Sequence, residues 1–340
     1  MRNKLILVVG ATGTVGSEVV RQLVEAGRRV RALTRDPAKT LKFGNAVEVV
    51  KGDLAKPETL AAAFQDAERV FVLAPPVPDM EALVSNALDA AVAAGVKRIV
   101  YLSADGTGEF DDSHFRAHAA NERRIASLGV DWTVLRSTRF MTYTPFVWSS
   151  VFQKSLLLEK GDRAMTVCDP VDVAAVGLIA LTTDGHSGQT YKLTSEDSFN
   201  ANELADRLSK ALGRELAIFR GDTEALRAAL VDCGAPEVYA PLMANYFDAV
   251  AAGFWRTTDT VAHLLGREPR SYAQWLDRNL PNILLAHQQS SITKSKRRTG
   301  EVNRCQTSMS HVASRSLPAA RPASGSPPPA SSTNRATQSS

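Results

Sequence analysis

The chain has 340 residues and a net charge of +4, but eight of its 40 basic residues and only one of its 36 acidic residues fall within 287–340, so residues 1–286 carry a net charge of −3. A slightly acidic body excludes a basic nucleic-acid-binding surface as the main function, and no apolar stretch approaches the ~18 residues that a membrane-spanning helix needs. The three cysteines (Cys168, Cys233 and Cys305) have no metal-ligand spacing, which fits a reducing compartment, so we expect a cytoplasmic protein without a metal site.

The first half of the chain alternates short apolar strands with helical patterns. The predicted strands are Leu5–Val9, Val30–Leu33, Val47–Val50, Arg69–Leu73, Ile99–Leu102 and Trp132–Leu135. The predicted helices between them are Ser17–Ala26, Pro57–Phe64, Met80–Ala94 and Ala117–Leu128. Strands that alternate with crossover helices form a parallel, doubly wound sheet. We therefore predict an α/β fold of the Rossmann type, with residues 1–140 as its dinucleotide-binding core.

The pattern changes beyond Arg136. An aromatic-rich stretch, Phe140–Lys160, is expected to be a flexible segment over a pocket. A strand is predicted at Thr190–Leu193, and helices at Asp172–Leu181, Ala201–Leu212, Thr223–Asp232, Pro236–Ala252, Thr258–Leu265 and Ser271–Leu280. Residues 141–286 are thus predicted to form a smaller, mainly helical C-terminal part that shapes the substrate cleft and partly returns to the sheet.

The last part of the chain, residues 287–340, is rich in Ser, Pro, Arg and Thr. Such a composition buries too little apolar surface to offset the entropy of ordering, so a disordered tail is expected. Its basic cluster Lys294–Arg298 is either a localisation or interaction segment or a part of a low-complexity extension without a role of its own.

A glycine-rich turn follows the first strand directly. It consists of Gly10, Ala11, Thr12, Gly13, Thr14, Val15 and Gly16, and a helix is predicted after it. Glycines in this position permit positive φ, close approach of a phosphate and tight packing of helix on strand, while the helix start offers free N–H groups to an anion. The strand–turn–helix setting predicts that the pyrophosphate of a nicotinamide dinucleotide binds here.

The end of the second strand predicts which dinucleotide is bound. An NAD site usually has an acidic residue there for the ribose 2′-OH, whereas this chain has Thr34 and Arg35, with Lys39 nearby. A guanidinium beside a hydroxyl suits a 2′-phosphate, so NADP(H) is the predicted cofactor, although the neighbouring Asp36 complicates this assignment.

Two further segments are assigned to the cofactor from the general plan of the fold. Asp53 and Leu54, after the third strand, are expected to border the adenine ring. Ala74 and Pro75, after the fourth strand, have a donor-poor backbone that lets the chain pass close to the cofactor ribose.

The chain resembles the NmrA-like atypical short-chain dehydrogenases, especially the triphenylmethane-reductase and quinone-oxidoreductase-like branch. The motifs that carry this resemblance are GATGTVG, Gly52-Asp53-Leu54 with Pro57-Glu58-Thr59-Leu60, His118-Ala-Ala-Asn-Glu122, Leu135-Arg136 with Arg139-Phe140-Met141, Asp172-Val-Ala174 and Gly188-Gln-Thr-Tyr191-Lys-Leu. The resemblance covers about Lys4 to Leu280. It implies an NADP-type Rossmann domain and a small C-terminal domain that forms a cleft over the nicotinamide.

The chain departs from the wider superfamily where the catalytic Tyr-x-x-x-Lys pair belongs. With Glu122 as the register mark, His118 stands at the lysine position and His114 at the tyrosine position, on one helix face. His118 is a candidate for contact with the nicotinamide ribose or the substrate, and His114 is a candidate proton donor, while both also fit a packed structural role. Ser103 occupies the superfamily's usual serine place and is the third candidate, while Glu122 is expected to be structural.

Two functions remain open. In the first, the chain is an enzyme that transfers hydride from NADPH to a quinone, azo compound or other conjugated electrophile without the Tyr–Lys pair. In the second, it is a non-enzymatic NADP(H) sensor that acts through a protein partner. The residues do not separate a monomer from a homodimer. Candidate pocket residues are Phe140, Met141, Tyr143, Phe146, Trp148, Phe152, Tyr246, Phe247 and Trp255.

Overall fold

The computed structural model describes residues 4–142, 145–159, 162–253 and 255–287, and only the backbone of Pro145 and Phe146. The chain divides into two units, Met1–Pro281 and Asn282–Ser340. The sheet and all candidate site residues belong to the first unit. Of the second unit, residues 282–287 are helical, and the tail predicted for 287–340 lies, apart from His287, outside the described residues. Within the described ranges, no helix is both long and apolar enough to cross a membrane.

A seven-stranded parallel sheet forms the centre of the first unit. Its strands are β1 (Leu5–Val8), β2 (Arg29–Thr34), β3 (Val47–Lys51), β4 (Ala67–Val72), β5 (Arg98–Ala104), β6 (Asp131–Ser137) and β10 (Gln189–Leu193). Their spatial order is β10-β6-β5-β4-β1-β2-β3, and every neighbouring pair is parallel. The predicted doubly wound Rossmann-type sheet is confirmed, and the late strand β10 joins it at one edge.

Helices cover both faces of this sheet. The described helices of the chain are α1 (Thr14–Glu25), α2 (Ala61–Phe64), α3 (Met80–Ala93), α4 (Ser113–Ala126), α5 (Pro145–Lys154), α6 (Pro170–Thr182), α7 (Ala201–Leu212), α8 (Thr223–Asp232), α9 (Ala240–Ala251), α10 (Thr260–Leu265) and α11, which begins at 272. One apolar core lies between the sheet and α1, α6 and α10, and a second lies between the sheet and α2, α3 and α4. The strands are apolar on both faces because each face is covered by helices.

The order of the strands reverses next to β1. The chain proceeds outward from β1 through β2 to β3, and then crosses to the other side of β1 to continue with β4. At such a reversal the flanking loops diverge and leave a crevice at the carboxyl ends of the strands, which is where open α/β sheets bind ligands. The glycine-rich turn after β1 lies at this crevice.

The segment predicted to be flexible has regular structure. Residues within Phe140–Lys160 form the end of β7 (Arg139–Phe140), the helix α5 and the strand β8 (Leu156–Leu158). Strand β7 pairs with β9 (Met165–Cys168), which pairs with β11 (Ser198–Phe199), while β8 pairs with β12 (Ala217–Phe219). These pairings join residues up to about 60 positions apart, so no local pattern indicates them. A 3₁₀ segment, Pro37–Ala46, was also not predicted.

Three buried arginines lie near the amino ends of the sheet strands and donate to helix carbonyls. Arg69 donates to Leu181 O, and Arg98 to the carbonyls of Ala180 and Thr183, all at the C-terminus of α6. Arg31 donates to the carbonyl of Ala63 at 2.9 Å, at the end of α2. The last carbonyls of a helix have no partners within it, and a cation there also meets the negative end of the helix dipole. Helix α6 has no basic residue in its own last turn, so the strands supply the cations.

We predict that Arg98→Met destabilises the protein by about 2–3 kcal/mol, because the substitution leaves buried α6 carbonyls without their charged donor. The Arg98 side chain is 10% exposed and also pairs with Asp184. The free energy of unfolding, measured by urea denaturation, checks this. The matched control is Arg116→Met, which removes an exposed ion pair with Asp111. It should change the free energy of unfolding by no more than about 0.5 kcal/mol. Equal losses of stability in the two variants would contradict the role of Arg98 in capping α6.

Candidate functional site

The glycine-rich turn brings β1 and α1 so close together that no side chain fits between them. A Cβ on Gly16 would lie 2.2 Å from the carbonyl oxygen of Gly10. Gly10 itself has φ of +74° and packs against Leu73, where a Cβ would lie 2.4 Å from Cδ1. Gly13, at the helix N-cap, donates its N–H to Gly10 O at 3.0 Å. Glycine is therefore required at positions 10 and 16 for steric reasons.

The start of α1 fits a diphosphate group. No side chain caps this helix and its first turn contains no acidic residue. The backbone N–H groups of its first turn are therefore free for an external acceptor, and the positive end of the helix dipole favours an anion. Gly13 and Thr14 are exposed and Thr12 is half-buried, whereas Ala11 and Val15 belong to the apolar core. The predicted loop thus has an exposed side that can bind an anion (the glycine cradle) and a buried side, formed by Ala11 and Val15, that packs in the core.

The region after β2 presents an exposed cation, Arg35, beside an exposed carboxylate, Asp36. Arg35 is exposed and forms no ion pair with any described residue. The carboxylate of Asp36 accepts a hydrogen bond from the N–H of Ala38 at 3.1 Å and caps the 3₁₀ segment. Thr34 is buried, and its hydroxyl is hydrogen-bonded to the backbone of Asp36. The acidic group that complicated the sequence interpretation is engaged in capping, so the guanidinium is the available group.

The other two cofactor segments lie at the carboxyl ends of β3 and β4. Asp53 Oδ1 accepts from the N–H of Ala55, and the Leu54 carbonyl accepts from Asn86 at 2.8 Å. Leu54 and Ala74 are half-buried and Pro75 is exposed. These segments border the same crevice as the glycine turn, because β3 and β4 run parallel to β1 and end on the same side of the sheet.

Ser103, near the end of β5, belongs to a buried polar network. Its hydroxyl donates to Glu122 Oε1 at 2.6 Å and lies 3.3 Å from the Thr107 hydroxyl. Arg136 on β6 donates Nε and Nη2 to the two oxygens of the same carboxylate, at 3.0 and 2.6 Å. The fork-shaped pairing raises the pKa of Arg136. Ser103 therefore has its proton committed to Glu122, which carries out the structural pairing expected of it.

A second charged pair lies beside this network. Lys192 of β10 is the register partner of Arg136, which is the register partner of Ser103, so the three residues lie in one row across the strands. The Nζ of Lys192 lies 3.0 Å from Oδ2 of Asp105, a buried carboxyl whose pKa is raised by burial. The row links the edge strand to the loop that follows β5.

The two candidate histidines lie on α4, which begins at Ser113 and therefore four residues before the predicted start. Asp112 caps this helix by accepting from the N–H groups of His114 and Phe115. The rings of His114 and His118 meet edge to face with centroids 4.7 Å apart. Burial lowers the pKa of both imidazoles, that of His118 well below its ordinary range, with a further contribution from Arg136. A lowered pKa favours the neutral form of both imidazoles, and the two rings share one face of the helix, as predicted.

Aromatic side chains connect α4 to the helical part of the unit. Phe110 contacts Phe115 and Trp255, with centroids 5.3 and 5.8 Å apart, and Tyr246 contacts Trp255 at 5.5 Å. The adjacent Phe247 points elsewhere and lies under the guanidinium of Arg139. We call Phe110, Tyr246 and Trp255 the aromatic wall.

The aromatic residues predicted from segment 140–160 are mainly packing residues. Met141 and Trp148 are buried, and Trp148 stacks on Phe152 and donates its Nε1 to Thr142 O. Tyr143 and the side chain of Phe146 lie outside the described residues.

Sequence reasoning missed several residues of this site, of which Tyr101, Asn121 and Phe110 are the most informative. Tyr101 precedes Ser103 by two residues and so shares its face of β5, and Asn121 follows His118 by three residues and so shares its face of α4. Those periodicities were available in the sequence. The signal was weak because tyrosine in a strand and asparagine in a helix have many structural roles.

We predict that Gly16→Ala weakens NADPH binding at least about tenfold, because its Cβ forces the helix start away from Gly10 and the cradle opens. Gly13→Ala should have a smaller effect, since its Cβ would lie 3.3 Å from Gly10 O and small shifts relieve the contact. Fluorescence titration with NADPH measures both affinities, and circular dichroism verifies folding. Identical affinities for the two variants would show that the close approach at Gly16 does not matter.

Comparison with known proteins agrees with this geometry. The profile of a family described as NAD(P)H-binding matches residues 10–183. An NAD(P)H azoreductase from Xenophilus azovorans is 34% identical over 277 residues, which span 80% of this chain and 96% of that protein. A (4-alkanoyl-5-oxo-2,5-dihydrofuran-3-yl)methyl phosphate reductase from Streptomyces griseus is 34% identical over 291 residues, with 80% and 96% coverage.

A solved structure has the same fold. Triphenylmethane reductase from Citrobacter sp., crystallised with NADP(H), superposes with a TM-score of 0.70 at 26% sequence identity and covers 79% of this chain and 98% of that one. The resemblance inferred from the sequence motifs is therefore confirmed. The family profile matches more than half of the chain, and the uncapped glycine cradle lies where the strand order reverses. The chain therefore belongs to the NAD(P)H-binding family of Rossmann-fold proteins.

Proposed function

We propose that the chain is an NADPH-dependent reductase that transfers hydride to a planar conjugated electrophile, such as a quinone, an azo compound or a cationic dye. The observation that carries this proposal is the edge-to-face pair of imidazoles, the half-buried His114 and the buried His118, at the positions where an alcohol dehydrogenase of this superfamily has tyrosine and lysine. A site without a phenol–lysine pair suits acceptors that need a hydride and no dedicated acid.

The preference for NADPH over NADH rests on the β2 end. The 2′-phosphate of the cofactor would be held by the free guanidinium of Arg35, with the Thr34 backbone beside it and Lys39 exposed nearby. The neighbouring carboxylate of Asp36 is held by the backbone of its own segment, whereas the Arg35 guanidinium has no ion-pair partner among the described residues. Charge-assisted hydrogen bonds from arginine to phosphate are among the stronger polar contacts in proteins.

The chain's contribution to the reaction is binding, orientation and exclusion of water. When bound, NADPH would supply a hydride, which is equivalent to two electrons and a proton, to the electrophilic atom of the acceptor. The glycine cradle would hold the central pyrophosphate and Arg35 the 2′-phosphate of the adenosine half, and His118 lies where a contact with the nicotinamide ribose is expected. A quinone or azo acceptor would then take its second proton from water, because the anion formed by hydride addition is readily protonated, whereas a cationic dye needs the hydride alone. Correct placement of two reactants provides a large part of the rate.

The acceptor is proposed to stack against the half-buried rings of Phe110 and Tyr246 in the aromatic wall, while Trp255, which is 3% exposed, contacts both of them. These rings lie beside the His114 end of α4 and belong to both the β5–α4 loop and the helical part. Flat π systems bind such surfaces through area burial and offset stacking. The named activities of the relatives, an azoreductase and a triphenylmethane reductase, support this class of acceptor.

A sensor without turnover is the less favoured alternative. Two relatives at 34% identity are named as reductases, and the candidate site has both a glycine cradle and an aromatic wall. We also propose a cytoplasmic location, supported by two described cysteines, Cys168 and Cys233, that are buried and free.

We predict that Arg35→Ala weakens NADPH binding about 10- to 100-fold and leaves NADH binding unchanged, because only NADPH has the phosphate that this cation binds. The control is Lys42→Ala, which removes an exposed cation from the neighbouring 3₁₀ segment and should alter neither affinity by more than about twofold. Wild-type protein that binds NADH as tightly as NADPH would contradict the assignment.

The activity itself is tested by following NADPH absorbance against quinones, azo dyes and triphenylmethane dyes. Acceptor-dependent oxidation is expected with at least one of these classes, and His118→Ala should slow it. The matched control is His263→Ala, an exposed histidine on α10, which should retain full activity. No oxidation with any acceptor in the panel would overturn the reductase proposal and leave the sensor.

A further inference from the structure

A short chain of hydrogen bonds connects His118 to strand β5. The hydroxyl oxygen of Tyr101 lies 2.7 Å from Nδ1 of His118, and Nδ2 of Asn121 donates to the same hydroxyl at 3.1 Å. Tyr101 is fully buried, Asn121 is 1% exposed and His118 is 6% exposed. The Tyr101 hydroxyl and the Asn121 side chain are therefore shielded from water, so their hydrogen bonds must be made with each other and with Nδ1 of His118.

The direction of this chain follows from the donors and acceptors available. The amide nitrogen of Asn121 is a donor only, so the Tyr101 oxygen accepts from it. A phenol has a single proton, and His118 Nδ1 is the other group within hydrogen-bond distance of that oxygen. The Tyr101 proton is therefore donated to Nδ1, which must be the unprotonated nitrogen of the ring. A neutral imidazole with a bare Nδ1 has its proton on Nε2.

The surroundings of His118 oppose a second proton on the ring. The titratable groups around it are Tyr101 from β5, Arg136 from β6, and His114 and Glu122 from α4 itself. Arg136 and His114 disfavour a positive charge on His118, as does burial. Glu122 would favour one, but its two oxygens are held by Ser103 and Arg136. Protonation at Nδ1 would also break the hydrogen bond from Tyr101.

We propose that Tyr101 and Asn121 are positioning residues that hold His118 as the neutral tautomer with its proton on Nε2. Nε2 has no hydrogen-bond partner among the described residues, so its N–H is available to a ligand. This step rests on the proposed function. In the reductase, the Nε2–H of His118 would donate to the nicotinamide ribose or to the acceptor that lies against the nicotinamide. A neutral imidazole donates a hydrogen bond without releasing its proton, and so the second proton of the reduction comes from water.

Nitrogen NMR of histidine-labelled protein tests the tautomer directly. The chain has six histidines, and loss of one signal pair in His118→Asn assigns the resonances of His118. In the wild type, Nδ1 should resonate as an unprotonated nitrogen and Nε2 as a protonated one, with no change between pH 8 and about pH 5.5, below the ordinary histidine pKa of about 6.5. In Tyr101→Phe the two signals should move toward each other, because the ring then samples both tautomers.

The matched control is Tyr272→Phe. Tyr272 is also fully buried, and its hydroxyl has no hydrogen-bond partner within the described part of the chain. This variant should leave the His118 signals unchanged. A wild-type spectrum with the proton on Nδ1, or His118 signals that are the same in Tyr101→Phe and the wild type, would overturn the proposal.

A kinetic measurement separates this proposal from the proposed function. Tyr101→Phe should lower kcat with the best acceptor about two- to tenfold, the effect of one poorly oriented hydrogen bond, with little change in the acceptor KM. Tyr272→Phe should leave kcat unchanged. If no acceptor is reduced, the reductase proposal fails while the NMR result still decides the tautomer. If kcat is unaffected by Tyr101→Phe, the tautomer has no role in turnover and the positioning role is rejected.

Discussion

The close approach of β1 and α1 at Gly16 determines much of the rest of the structure. With only 2.2 Å between a hypothetical Cβ and Gly10 O, the helix can start directly over the end of the central strand. Its free N–H groups then point into the crevice where the strand order reverses. Moving the helix out by the width of a methyl group would separate the dipole end from that crevice and would also disturb its packing against α6.

The amino ends and the carboxyl ends of the sheet strands have different roles. At the amino ends of the strands, Arg31, Arg69 and Arg98 donate hydrogen bonds to the carbonyls of helix C-termini, and these contacts stabilise the fold. At the carboxyl ends, the polar groups are hydrogen-bonded into networks that surround a crevice. Helices that run antiparallel to parallel strands produce this division, because their C-termini all come to one side and their N-termini to the other.

The network at the carboxyl ends explains how a site with buried polar groups keeps a single arrangement. The carboxylate of Glu122 holds a strand hydroxyl and a guanidinium from two neighbouring strands, and the Tyr101–His118–Asn121 chain holds the imidazole. If any side chain of these networks turned away, its hydrogen-bond partner would be buried and unpaired. The free-energy cost of such a group is larger than the stability that a typical hydrogen bond contributes. The networks therefore favour one tautomer and one side-chain geometry before any ligand binds.

Much of the first half could be predicted from the amino-acid sequence. The apolar runs and their spacing indicated six strands of the sheet, and the glycine spacing together with Arg35 predicted NADP(H) as the cofactor. Position counting from Glu122 placed His114 and His118 on one helix face. These features depend on local periodicity and on steric requirements of single residues, which a sequence contains explicitly.

The remainder was decided by tertiary structure. The small strands within 139–219 pair across long separations, so the segment predicted to be flexible is regular. That Asp36 caps its own segment, that Glu122 holds Ser103, and that Tyr101 directs its proton to His118 all depend on distances between elements. A sequence names the donors and acceptors, but only the packed fold decides which of them meet and hence which nitrogen of an imidazole is left to donate.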